Sequence, residues 1–173
     1  MKNEQGAIAN KNGKKLESDL TELFEENNFP VIKYSIYKKT PEKFKGINDY
    51  ILNNVPYTTI YGHRGYTEFV LVTGDRRARI EVKSQNSTGS VDEKIPYVLE
   101  NMIEAYPEKE AILITEGKGF KSGHRSYLKQ KIEGNFLDYK GKGKTLYAFN
   151  LAEFIPFFLN NFVKDFNQVT VES

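Results

Sequence analysis

Cysteine is absent from the 173 residues, which excludes disulfides and cysteine-ligated zinc and fits a reducing compartment. Histidine is scarce. His63 and His124 are the only two, too few and too far apart in sequence for a zinc site, and His63 reads as a turn residue. A net charge of +2 gives no strong bulk attraction to nucleic acid. Long hydrophobic runs are missing as well. The longest, Leu151–Phe162, is broken by Glu153, Pro156 and two asparagines, too short and too polar to span a bilayer. The chain start carries no charged-then-apolar leader. A cytoplasmic protein with no membrane partner is the expectation.

What is present is an ordinary globular composition, 39% hydrophobic and 28% charged. The length suits one domain over residues 1–173 with a real core, and polar residues 1–13 are expected to be a loose start. Charge is uneven. Basic residues crowd between Arg76 and Lys94 and between Lys118 and Lys144, while Glu17–Glu26 is acidic. Leu16, Leu20, Leu23 and Phe24 fall at helical spacing, predicting a helix from about Lys14 to Asn28. Residues 31–54 give mixed signals, with room for a short strand and a short helix.

Residues 55–61, 66–72 and 77–84 read as three strands of a meander. A helix is expected over 91–106, with Pro96 delaying its start and Pro107 ending it. The apolar run 111–115 reads as a central strand buried on both faces. A helix near 125–133, a strand at 145–151 and an apolar helix over 152–163 complete the order. The phenylalanine stripe of the last helix, Phe154, Phe157, Phe158 and Phe162, is core or a subunit contact. The sum is an α/β (α+β) fold, a mixed sheet flanked by helices.

The strand RIEVKSQ (79–85) alternates Arg79, Glu81, Lys83 and Gln85 with Ile80, Val82 and Ser84. An even loop over Gly74–Arg77 sets Val72 opposite Arg79, Val70 opposite Glu81 and Glu68 opposite Lys83. Directly opposed residues share a face, so Glu68, Glu81 and Lys83 converge. Two readings are open at this point. One is a solvated cross-strand ion pair worth about 0.5 kcal/mol. The other is a site, favoured by Val70 and Val72 on the same face and by the polar loop 84–90 at the strand end. Two close carboxylates repel each other, and a hard divalent cation between them relieves that repulsion. Such a cation suits phosphodiester hydrolysis. A lysine beside the acid can stabilise the charged transition state or orient water, and Gln85 can hold phosphate or water without adding charge.

Glu68, a twelve-residue interval and Glu81-Val82-Lys83 resemble the core motif of the PD-(D/E)XK (restriction-endonuclease-like) nucleases. The helix, three strands, helix and strand over roughly residues 14–116 are similar to that superfamily's core. The stretches EVKSQNSTGSVDEKIPY and GKGFKSG are similar to a branch found in phage and bacterial nucleases. The resemblance implies a Mg2+-dependent DNA endonuclease, with Mn2+ able to substitute, in a bacterial cell or phage-encoded. It implies Glu81 as metal ligand, Lys83 as catalytic lysine and Glu68 in the place usually held by aspartate. It also implies Glu17 as the acid of the first helix that helps hold a second metal. The Val82 carbonyl, between acid and lysine, is a plausible third ligand, and Gln85 joins the catalytic set.

Lys94, Lys118, Lys121 and Arg125 are candidate contacts to DNA phosphates, with a solvated basic loop as the plainer reading of the last three. Asp92 and Glu93 suit a helix start. Because duplex cleavage needs two cuts, a homodimer or higher homo-oligomer is attractive. The alternatives are a catalytically inactive nuclease-fold DNA-binding or assembly protein, and a junction-resolving enzyme or exonuclease of the same superfamily.

Overall fold

The computed structural model describes residues 2–86, 91–120 and 122–163, and the side chains of 13–86, 94–120 and 123–163. Helix α1 spans Lys2–Glu26. It begins a dozen residues before the expected start, because Glu4, Gln5, Ala7 and Ala9 are all strong helix formers. Then follow β1 (Val31–Lys33), the short α2 (Tyr34–Lys39) and a one-turn 3-10 helix, Pro41–Phe44. The meander is β2 (Asp49–Thr58), β3 (Arg64–Thr73) and β4 (Arg76–Ser84). After it come α3 (Val91–Glu100), β5 (Glu110–Glu116), α4 (Ser122–Glu133), β6 (Thr145–Phe149) and α5 (Leu151–Phe162).

The six strands form one sheet in sequence order. The β2–β3 and β3–β4 pairs are antiparallel; β1–β2, β4–β5 and β5–β6 are parallel. Strand β2 begins six residues before the expected 55, because Asp49–Asn53 pair with Phe69–Thr73 of β3. Leu16, Leu20 and Phe24 of α1 pack with Phe154, Phe158 and Phe162 of α5 over one face, against Phe69, Ile80, Val82 and Ile112. Three of the four stripe phenylalanines are therefore core, and Phe157 is partly buried against them. Ile95, Val98 and Leu99 of α3 and Leu128 of α4 cover the other face at Ala111 and Leu113. Tyr34, Tyr37 and Phe44 cover the β2 and β3 end of that face.

Pro96 sits inside α3 instead of delaying it. The helix then changes to a π-turn over Asn101–Ala105, where Tyr106 N–H donates to the Asn101 carbonyl at 2.9 Å. Asn101 is fully buried and locks the turn: its Oδ1 accepts from Ile60 N–H at 3.1 Å and its Nδ2 donates to the Tyr97 carbonyl at 2.7 Å.

Phe24 centres the α1–α5 face, edge-on to Phe69, Phe154 and Phe158 at centroid distances of 5.4, 6.2 and 5.2 Å. Phe24→Ala is expected to cost about 3–5 kcal/mol in chemical denaturation, the usual loss for a buried ring. A cost below about 1 kcal/mol would show that α1 is docked by other contacts.

Candidate functional site

The β3–β4 hairpin turns on two residues, Gly74 and Asp75, with Thr73 opposite Arg76. Gly74 takes φ +55, which glycine adopts without steric cost. The expected four-residue loop gave a register two residues out: Val70 faces Arg79, and Val72 faces Arg77. A slip of two keeps every side chain on its face, whereas a slip of one would invert the strand. The convergence of Glu68, Glu81 and Lys83 therefore survives the error.

The two strands then part. The β3–β4 ladder ends at the pair Phe69–Ile80, while β4 continues beside β5 as far as Ser84 opposite Glu116. Parting leaves the outward amide of Val82 without a strand partner, and Glu68 Oε2 accepts from it at 2.9 Å. A side chain thus takes the place of a ladder bond. Next to the opening, Asn54 of β2 adopts φ +57, a left-handed conformation that asparagine tolerates, between the pairs Asn53–Phe69 and Val55–Thr67.

Lys83 binds into this opening. Its Nζ forms ion pairs with Glu81 Oε1 and, at 3.7 Å, with Glu68 Oε1, and donates to the Val82 carbonyl at 3.3 Å. Glu81 is buried, and its Oε2 accepts from Tyr106 Oη at 3.0 Å. Burial, reinforced by the charge of Glu81 and opposed by Lys83, pushes the Glu68 carboxyl up to about 7. Burial alone would lower Lys83, but Glu81 and then Glu68 more than offset it and its pKa is raised. Glu17 of α1 is raised too, by burial, against the pull of Lys83 and Lys14. Glu17 itself is half-buried on α1.

The other expected residues spread out. Gln85 lies past the end of β4, where its N–H donates to the Glu116 carbonyl and its own carbonyl accepts from Gly119. Gly117 in that loop has φ +113, and a Cβ there would come within 2.3 Å of the Gln85 carbonyl, so the loop requires glycine. Lys118 is exposed and shares a cavity of about 550 Å3 with Lys15, Asp19 and Ser84 at the end of β4. Arg125 is exposed on α4, bordering a separate cavity that holds Glu133 and Glu153. Lys94 is exposed near the start of α3, and Lys121 lies outside the described residues.

Sequence reasoning missed the support behind Glu81. Tyr106 follows directly from the π-turn, and Tyr57 packs edge-on against it at 4.8 Å. Burial and then the negative charge of Glu81 raise the pKa of both phenols, that of Tyr106 well above the usual value. Below them, buried Arg79 donates Nε and Nη2 to Glu108, Nε at 2.5 Å, and Nη1 to Thr67 Oγ1 at 3.0 Å. Arg79 was visible in the alternating strand. Its partner Glu108, 29 residues on, had no local signal.

No group of three or more His, Cys, Asp or Glu side chains among the described residues is close enough to hold a metal ion unaided. The donor set nevertheless fits a hard cation. An ammonium already sits against two carboxylates and a backbone carbonyl, all oxygen donors of the kind that magnesium and manganese take.

A family model described as a PD-(D/E)XK nuclease superfamily domain matches residues 8–162, and the chain belongs to that superfamily. The match extends the resemblance through β6 and α5. The mixed six-stranded sheet with flanking helices is its restriction-endonuclease-like fold. No curated protein and no solved structure matches the chain. Members of the superfamily are nucleases that generally use divalent metals such as Mg2+. No helix among the described residues is long and apolar enough to cross a membrane.

The raised Glu68 pKa has a defined sign in stability. Between the ordinary carboxyl value of 4.5 and about 7, the native state keeps a proton that the unfolded chain has released. The stabilisation is therefore complete below that window and is lost as pH rises through it. Metal-free protein is expected to lose stability across this range in denaturant titrations, and Glu68→Gln to flatten the slope. Parallel pH profiles for the two proteins would contradict the assignment.

Proposed function

We propose that the chain is a divalent-metal-dependent deoxyribonuclease that cuts phosphodiester bonds within DNA. One observation carries the reading: carboxylates from two adjacent strands converge on a single cation position, with a lysine from the same strand as one of them. A solvated ion pair does not explain this arrangement. Glu81 is buried and bonded to Tyr106, and burial pushes the Glu68 carboxyl up to about 7.

Glu68, Glu81 and the Val82 carbonyl would hold Mg2+, with Mn2+ able to replace it and Glu17 able to serve a second ion. When bound, such an ion supplies Lewis-acid stabilisation of phosphate charge and a water of lowered pKa. The protein's own groups do the rest. Lys83 keeps its proton, because two carboxylates outweigh the effect of burial, so it brings a fixed positive charge to the reacting phosphate. Its N–H groups can orient the attacking water or meet a non-bridging oxygen. Tyr106 holds Oε2 of Glu81 and leaves Oε1 turned toward the cation position. The Phe69–Ile80 end of the ladder keeps Glu68 between the strands, where it reaches both Val82 and Lys83.

The test is nicking of supercoiled plasmid and cleavage of single-stranded circular DNA, with Mg2+ or Mn2+ against EDTA. Lys83→Ala is expected to lose about a hundredfold or more in cleavage rate, as when one transition-state donor is removed. Its DNA affinity should stay near wild type, since one phosphate contact among several contributes little. Wild-type cleavage by Lys83→Ala, or no metal-dependent cleavage by the wild-type protein, would overturn the proposal.

A further inference from the structure

Residues 31–48 carry five lysines, Lys33, Lys38, Lys39, Lys43 and Lys45, against one acid, Glu42. All five are exposed, and none forms an ion pair among the described residues. Lys33 and Lys38 line a cavity of about 430 Å3 with Arg64 of β3, which is also exposed and unpaired in the same sense. Tyr34, Tyr66 and Asn54 contribute to the wall, and none of the nine lining residues is acidic. Three like charges gathered round one hollow repel one another, so the arrangement is at its most stable with a polyanion in it.

The cleft adjoins the carboxylate site. Tyr66 and Glu68 are two residues apart on β3, about 7 Å along a strand. Asn54, at the edge of the cleft, lies level with Glu68 across the β2–β3 ladder, between the pairs on either side of it.

The rings select the form of the polyanion. Tyr66 is 50% exposed and Tyr61 73%, and both stand on the β2–β3 hairpin on either side of Arg64. Tyr61 is stacked on Tyr97 of α3 at 5.4 Å, with planes 16° apart, and on His63 at 6.3 Å. Cations that track a backbone beside exposed aromatic faces are how proteins hold unpaired nucleic acid, since duplex bases are already stacked on each other.

We infer that this cleft binds an unpaired DNA strand leading into the carboxylate site, with phosphates on Lys33, Lys38 and Arg64 and a base stacked on Tyr66. The strand's fate rests on the nuclease reading; its binding rests on the cleft alone. A single strand needs one cut, so one copy of the chain suffices for this substrate.

The experiment measures binding of a fluorescein-labelled oligothymidylate, and of the same oligonucleotide annealed to its complement, to the full chain in EDTA at several salt concentrations. The wild-type protein is expected to prefer the single strand. Lys33→Gln/Lys38→Gln should weaken that binding and make the salt slope shallower by about 1.4, two single-strand phosphate contacts. Tyr66→Leu should weaken single-strand binding about tenfold without changing the slope, and Tyr66→Phe should restore it. Unchanged single-strand binding in Tyr66→Leu, equal losses on single strand and duplex, or an unchanged slope in the lysine variant would overturn the inference. Because EDTA removes cleavage from the measurement, normal cutting with cleft-independent binding would sink this inference alone. Cleft-dependent binding by a protein that never cuts would sink the nuclease reading alone.

Discussion

Two carboxylates that face the same buried point cannot both be charged without a cation between them. That constraint organises the molecule around Glu68 and Glu81. In the absence of metal, the Lys83 ammonium supplies the charge, and even so the Glu68 carboxyl is pushed up to about 7. The surrounding structure keeps the two acids from moving apart. Tyr106 holds one oxygen of Glu81, and the Val82 amide, deprived of a strand partner, holds one oxygen of Glu68. A relaxed sheet would have closed the gap between β3 and β4 with backbone hydrogen bonds. Here the gap is what makes room for a cation.

The strength of the hold on Glu81 comes from elements far apart in sequence. A π-turn places Tyr106, the buried Asn101 side chain ties that turn to Ile60, and Arg79 with Glu108 fills the floor beneath Tyr57 and Tyr106. π-turns recur at functional sites because one extra residue per turn re-aims a side chain. Here the residue that follows the turn points its hydroxyl at the acid. A buried ion pair such as Arg79–Glu108 contributes little net stability against an apolar replacement, but losing either partner strands a charge.

The central site was legible in the sequence because strand parity is robust. Glu68, Glu81 and Lys83 share their cluster under any register shifted by an even number, so a two-residue error in the hairpin cost nothing. Tyr106 and Glu108 were not legible. Their contacts bridge 25 and 29 residues, and only the parallel β4–β5 pairing brings them back to β4. Residues 31–54 gave weak signals because β1 has three residues, α2 has six, and β2 begins in a polar stretch whose pairing with β3 overrides local preference. The basic cleft was hidden for the same reason. Lys33 and Lys38 meet Arg64 only through the parallel β1–β2 pair and the β2–β3 ladder.

The same geometry gives the site a direction. Exposed cations and the exposed ring of Tyr66 lie toward β1 and the β2–β3 hairpin, and the acids and Lys83 lie where β3 leaves β4. On the proposed reading, Glu68 and Glu81 define one cation position, which Lys83 occupies until a metal takes it. Calorimetric titration of Mn2+ into the DNA-free protein measures that position. A saturable site is expected in the wild-type protein, with at least tenfold weaker binding in Glu81→Ala, which keeps only one of the two carboxylates. Equal Mn2+ affinity in the two proteins would contradict it.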